Sequence, residues 1–119
     1  MELRYFKLEE FDSPDMVGSG SIMQESTLLM LEEARYFADM PFVINSAVRT
    51  EAHNAKVGGK PNSAHTRGYA VDIKVRNGLE RMKVVNALLQ AGFTRIGVAR
   101  TFVHADNDPS LPQNVLWTY

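Results

Sequence analysis

Between Tyr69 and Val75 the chain alternates: Tyr69, Val71, Ile73 and Val75 are apolar, and Ala70, Asp72 and Lys74 stand between them. Successive side chains on a strand point to opposite faces, so the spacing predicts a half-buried β-strand. Asp72 then sits mid-strand on the face opposite the apolar row. A carboxylate in that place is costly to bury unless something compensates it. A divalent metal is one such partner; pairing with Arg67 or Lys74 is another, and the strand alone does not choose between them.

The rest of the chain supplies what such a strand needs around it. With 119 residues, 45% hydrophobic and 23% charged, the chain has the size and composition of one folded domain, spanning 1–119, and not of a disordered segment. Gly18-Ser19-Gly20 reads as a flexible lead into a first helix, which Ser21 and Gln24 would open as a capping box. Met23, Thr27, Met30, Leu31, Ala34, Phe37 and Ala38 recur at helical spacing until Pro41 ends the pattern. Phe42 to Val48 reads as a buried strand, and Thr50 to Lys56 as a short helical turn closed by Gly58-Gly59. Asn77 with Glu80 opens a second helix whose core face would be Leu79, Met82, Val85, Leu88 and Leu89, with Gly92 at its C-terminus. Two further strands are expected at Arg95–Ala99 and Phe102–Ala105, ahead of a tail from Asn107 to Tyr119 that holds prolines and asparagines and ends in Leu116-Trp117-Thr118-Tyr119. Two helices on a small sheet make an α+β domain.

Charge and composition exclude several functions. Thirteen Lys and Arg against 14 Asp and Glu leave a net charge of −1, without the basic footprint of a nucleic-acid binder. No cysteine is present, so disulfides, thiolate zinc sites, iron–sulfur clusters and thiol nucleophiles are excluded. No apolar run approaches the ~18 residues of a membrane span. Met1 to Lys7 has no apolar signal region, which predicts a soluble chain made without an export signal.

Three histidines are available: His53, His65 and His104. His65 lies in the polar loop Asn62 to Gly68, just before the alternating strand, and His104 interrupts the apolar run Phe102-Val103-His104-Ala105-Asp106. Two imidazoles and one carboxylate form a zinc set that leaves a fourth position open. The spacing of His65 and Asp72 is weak on its own, and His104 equally fits a hydrogen-bonded core histidine.

A wider pattern surrounds them. Ser63-x-His65-x-x-Gly68-x-Ala70-x-Asp72 resembles the zinc-binding signature of the D-Ala-D-Ala metallopeptidase family, peptidase family M15. The upstream Ser46 to Asn54 with Val57-Gly58-Gly59, and the downstream Gly97 and Phe102 to Asp106, are similar to the flanking motifs of its short, single-domain branch. Phe6-x-Leu8-x-Glu10-Phe11 and Trp117-x-Tyr119 resemble the ends of short phage-type members. The resemblance implies a fold of the hedgehog/DD-peptidase type, with His65, Asp72 and His104 as Zn2+ ligands. It also matches Arg49 to the arginine that faces the substrate carboxylate or carbonyl, a role that a permanently charged fork suits. Ser63 and Asn54 read as loop-shaping residues, Gly68 as a turn glycine, and His53 matches no ligand position.

One departure concerns the general base. Relatives carry a Glu three residues, or a His two residues, before the last zinc histidine; here those positions hold Thr101 and Phe102. Asp106 shares a strand face with His104, either as the base or as the group that orients an imidazole. The implied function is a zinc peptidase cutting peptidoglycan stem peptides, as D-Ala-D-Ala carboxypeptidase or endolysin-type endopeptidase. The expected partner is the stem peptide, with no nucleic acid, no membrane span and a monomeric chain. The expected setting is a phage or prophage lysis protein, cytoplasmic at synthesis and acting on the cell wall. A zinc-stabilised binding or virion structural module without turnover is the alternative, and a competent base near the metal separates the two.

Overall fold

The alternating segment forms the second of five strands in the computed structural model, which describes residues 2–119. The strands are β1 (Ile44–Ser46), β2 (Ala70–Lys74), β3 (Arg95–Val98), β4 (Phe102–Asp106) and β5 (Val115–Thr118), arranged β1-β2-β4-β3-β5. Every pairing is antiparallel except β3 with β5, which run parallel. Three helices, α1 (Glu25–Ala38), α2 (Glu51–Lys56) and α3 (Gly78–Gln90), complete a mixed α+β architecture.

Alternation gives the sheet two unlike faces. Val71, Ile73, Ile96, Val103 and Ala105 are fully buried and join one apolar core with Leu28, Leu31 and Ala34 of α1 and Val84, Ala87 and Leu88 of α3. On the opposite face the register aligns Ser46, Asp72, His104, Gly97 and Trp117 in a single row across all five strands. β2 is not half-buried as its alternation predicts: Ala70 and Asp72 are buried as well. The reason is a 3-10 turn, Ala64–Arg67, that packs over the polar side of β2 and carries His65 there.

Three other expectations change with tertiary contact. Gly18 to Gly20 is not a flexible lead, because the Asp12 carboxylate accepts the N–H of Gly18 (2.9 Å) and of Gly20 (2.6 Å) and helps pin a 3-10 turn at Ser19–Ile22. Ser21 lies inside that turn, so α1 starts at Glu25 with Gln24 as its N-cap. Gln24 spends its polar groups elsewhere: its N–H donates to Gly68 O (2.9 Å) and its side chain to Arg67 O (3.1 Å), docking the helix start on the His65 turn.

On α3, Asn77 caps the helix as predicted, accepting the Glu80 N–H at 2.9 Å. The buried stripe, however, is Val84, Ala87, Leu88 and Ala91, whereas Leu79, Met82 and Leu89 are more than half exposed. Apolar residues occur on more than one side of this helix. Packing against α1 selects the side carrying the small Ala87 and Ala91. Finally, the tail, to which no element was assigned from sequence, adds the parallel edge strand Val115–Thr118.

Candidate metal centre

His65 is set by its turn. Ser63 Oγ accepts the His65 N–H at 3.2 Å, and Gly68 closes the turn at φ +79°, where a Cβ would strike the carbonyl of Ile22. The imidazole Nδ1 lies 2.7 Å from Ala47 O. A carbonyl only accepts, so Nδ1 carries the proton and Nε2 keeps its lone pair. That Nε2 faces Asp72 Oδ1 at 3.4 Å. From β4, His104 Nδ1 approaches the same Asp72 Oδ1 at 2.9 Å. The two imidazoles meet edge to face, with centroids 5.2 Å apart.

His65, Asp72 and His104 each offer one donor atom, and these atoms all lie within 4.8 Å of one another. Two nitrogens and one carboxylate oxygen, converging from a turn and two adjacent strands, could hold a divalent cation with a coordination position left open.

The second nitrogen of His104 is also engaged. Nε2 lies 2.7 Å from Asp106 Oδ2, and the other Asp106 oxygen accepts from Arg95 Nε (2.7 Å) and from the Asp108 N–H (3.3 Å). Burial by itself would raise the Asp72 carboxyl, but the hydrogen bond from His104 outweighs it and holds the group well below its ordinary range. Burial pulls His104 down, yet Asp106 and Asp72 more than offset that and raise it. Asp106 is lowered in the same way, burial being outweighed by His104 and Arg95. A protonated His104 thus balances two buried carboxylates, and a cation on the shared donors would take the place of the Nδ1 proton.

Asp72 has one cationic side chain as well, and it is neither of those considered from the strand. Arg49 Nη2 lies 3.4 Å from Asp72 Oδ2, while Arg67 pairs with the fully buried Asp108 and Lys74 is exposed. The Arg49 side chain is only 16% exposed, held also by Ser46 Oγ (3.1 Å) and Asn54 Oδ1 (3.3 Å), so it is no ordinary surface arginine. Asn54 in turn donates to Lys60 O at 2.8 Å and shapes the loop beyond α2. His53 sits on α2 and does not line the site.

These groups form the floor of a cleft of about 710 Å³. Arg49 borders it on the β1 side, the loop from Val57 to Ser63 and Leu111 form the rim, and Trp117 and Tyr119 border it on the β5 side. Trp117 lies 5.4 Å from the His104 ring and carries the Arg95 guanidinium at 5.1 Å; Tyr119 packs on Phe102 at 5.0 Å. Trp117, Tyr119 and Arg95 had no assigned role from sequence. The two-residue spacing of Trp117 and Tyr119 was their only strand signal, and nothing local marks Arg95.

A family model described as Peptidase M15 matches residues 4–106. The chain belongs to the peptidase M15 family. No match was found among curated proteins. The M15 match spans His65, Asp72 and His104 and ends at Asp106, so the aromatic border from β5 lies outside it. Membership supports peptidase action on a peptide substrate. Among the described residues, no helix of this M15 chain is long and apolar enough to cross a membrane.

Proposed function

We propose that the chain is a zinc-dependent peptidase that hydrolyses peptide bonds of peptidoglycan stem peptides, as a D-Ala-D-Ala carboxypeptidase or an endolysin-type endopeptidase. The observation that carries this reading is the convergence of His65 Nε2, Asp72 Oδ1 and His104 Nδ1 on the floor of an open cleft. The donor set fits zinc, because His65 is held in the ligating tautomer and both imidazoles have a carbonyl or carboxylate behind them. Bound at these donors, zinc supplies Lewis acidity that polarises a peptide carbonyl and acidifies water.

The chain's own residues do the rest. Arg49 holds the substrate carboxylate or carbonyl; its present hydrogen bonds are all 3.1 Å or longer, and a carboxylate at about 2.7–2.9 Å outcompetes them. Asp106 receives the orienting role and not the proton from water. It is 1% exposed, and each of its oxygens already accepts a hydrogen bond. A phage or prophage lysis setting, with action on the cell wall, rests on the resemblance of the chain's ends to short phage-type members.

A non-catalytic, zinc-stabilised binding or virion module remains the second reading. It is favoured by the two carboxylates that line the cleft, Asp72 and Asp106, both being committed to partners. Digestion of defined muropeptides by the zinc-loaded protein, read by mass spectrometry, separates the two. Cleavage of one bond type, abolished by chelator and restored by zinc, is the expected result. Intact muropeptides beside a folded, zinc-binding protein would establish the module.

A further inference from the structure

The aromatic border of the cleft is built to hold one hydroxyl. Gly97 sits in register between His104 on β4 and Trp117 on β5. A Cβ at Gly97 would collide with Trp117 Nε1 and come within 2.9 Å of the Tyr119 hydroxyl. The indole N–H and the phenol therefore both lie over the glycine, and the Trp117 ring is centred 5.4 Å from the His104 ring. Only glycine leaves room there for both.

The indole N–H can only donate, so beside the phenol oxygen it can take only a lone pair of that oxygen. The phenolic hydrogen is left to donate elsewhere. Phe102 supports the ring of Tyr119 at 5.0 Å, and 70% of Tyr119 is exposed along the cleft border. A phenol with its ordinary value near 10 is a protonated donor at neutral pH, and burial raises the Tyr119 hydroxyl further. Arg49 stands at the other side of the same three donors.

We propose that Tyr119 is a further catalytic residue, its hydroxyl donating a hydrogen bond to the oxygen of the reacting peptide carbonyl as that oxygen gains charge, from the side opposite Arg49. The inference rests on the peptidase reading above. Hydrolysis consumes one water and breaks the C–N bond to give a carboxylate and an amine; Tyr119 keeps its proton throughout. Its donor strengthens as charge develops on the oxygen, so it acts on kcat more than on KM.

Tyr119→Phe keeps the ring on Phe102 and removes the hydroxyl alone. With zinc-loaded protein and the muropeptide that the wild type cleaves, kcat should fall about 10²-fold, with KM, zinc affinity and melting temperature nearly unchanged. The second readout is binding of two phosphinate dipeptides, D-Ala-D-Ala and L-Ala-D-Glu in sequence, whose tetrahedral oxygens mimic the charged state. Trp117 is the one tryptophan of the chain and lines the cleft, so its emission reports that binding. Tyr119→Phe should weaken the phosphinate that the wild type prefers by about 10²-fold, and the parent dipeptide far less.

Unchanged kcat and phosphinate affinity in Tyr119→Phe overturn the proposal and leave the peptidase reading intact. A fall in zinc affinity or melting temperature that parallels the loss of kcat also overturns it, because the hydroxyl would then be structural. A wild type that binds phosphinate through Tyr119 yet cleaves no muropeptide removes the peptidase reading while the hydroxyl remains a donor to the bound ligand. A wild type that neither cleaves nor binds removes both.

Discussion

The two faces of the sheet are made by the same strands, and they solve burial in opposite ways. On the helix side, Val71, Ile73, Val103 and Ala105 are buried by shedding water, with no polar group to satisfy. On the cleft side, one residue along each strand, Asp72, His104 and Asp106 are also nearly buried, and each is tolerated only because the next one compensates it. Packing on the first face needs no charged or hydrogen-bonding partner. The second face is a chain of dependence that runs from Arg49 through Asp72, His104 and Asp106 to Arg95. Side chains that hold the site in shape there are the same ones that would do its chemistry.

The largest effect should come from breaking that chain in the middle. His104→Ala removes the imidazole between two buried carboxylates, and losing one partner of a buried pair costs about 3–5 kcal/mol. Denaturant unfolding of the metal-free protein should show that loss, and the folded fraction should retain no stoichiometric zinc on elemental analysis. Full zinc retention by folded His104→Ala would refute the donor set.

On the opposite face, Ile73→Ala should cost about 2–5 kcal/mol through the cavity it opens. Zinc affinity, measured on the folded fraction, should stay at the wild-type value. If it falls as steeply as stability does, the two faces are not separable and the contrast fails.

Asp106→Asn sharpens the comparison within the cleft face. It preserves shape but weakens the hold on His104 Nε2, and zinc binding should drop about 10–100-fold by competition with a chromogenic chelator. Unchanged zinc affinity together with lost cleavage would return Asp106 to the role of general base. The smallest effect belongs to the outer side of α3: Leu79 is 68% exposed, so Leu79→Ala should move stability by no more than about 0.5 kcal/mol. A loss above 2 kcal/mol would mean that this side is covered in solution.

Much of this was legible because strands and caps are local. The strand at Tyr69–Val75, the Asn77 cap and the short helix after Thr50 each depend on residues a few positions apart, and all of them are found. The core stripe of α3 was not legible, since apolar residues on several sides of the helix leave the choice to whatever packs against it. β5 was hidden for a related reason. A parallel edge strand takes its hydrogen bonds from Arg95–Val98, some twenty positions upstream, and Pro109 and Pro112 just before it read as irregular chain.

At the site, residue types and strand alternation offered His65, Asp72 and His104 as candidates and placed Asp106 on the face of His104, while the ligand set itself was implied by the family resemblance. Spacing says which side of a strand a group takes, because the backbone alternates every residue whatever lies around it. Only the assembled fold decided that Asp72 is met by Arg49 and not by Arg67, that both oxygens of Asp106 are occupied, and that Trp117 and Tyr119 border the cleft. Those outcomes depend on sheet register and on contacts between segments far apart in the chain, where the energy of pairing one buried charge is settled by its neighbours in space.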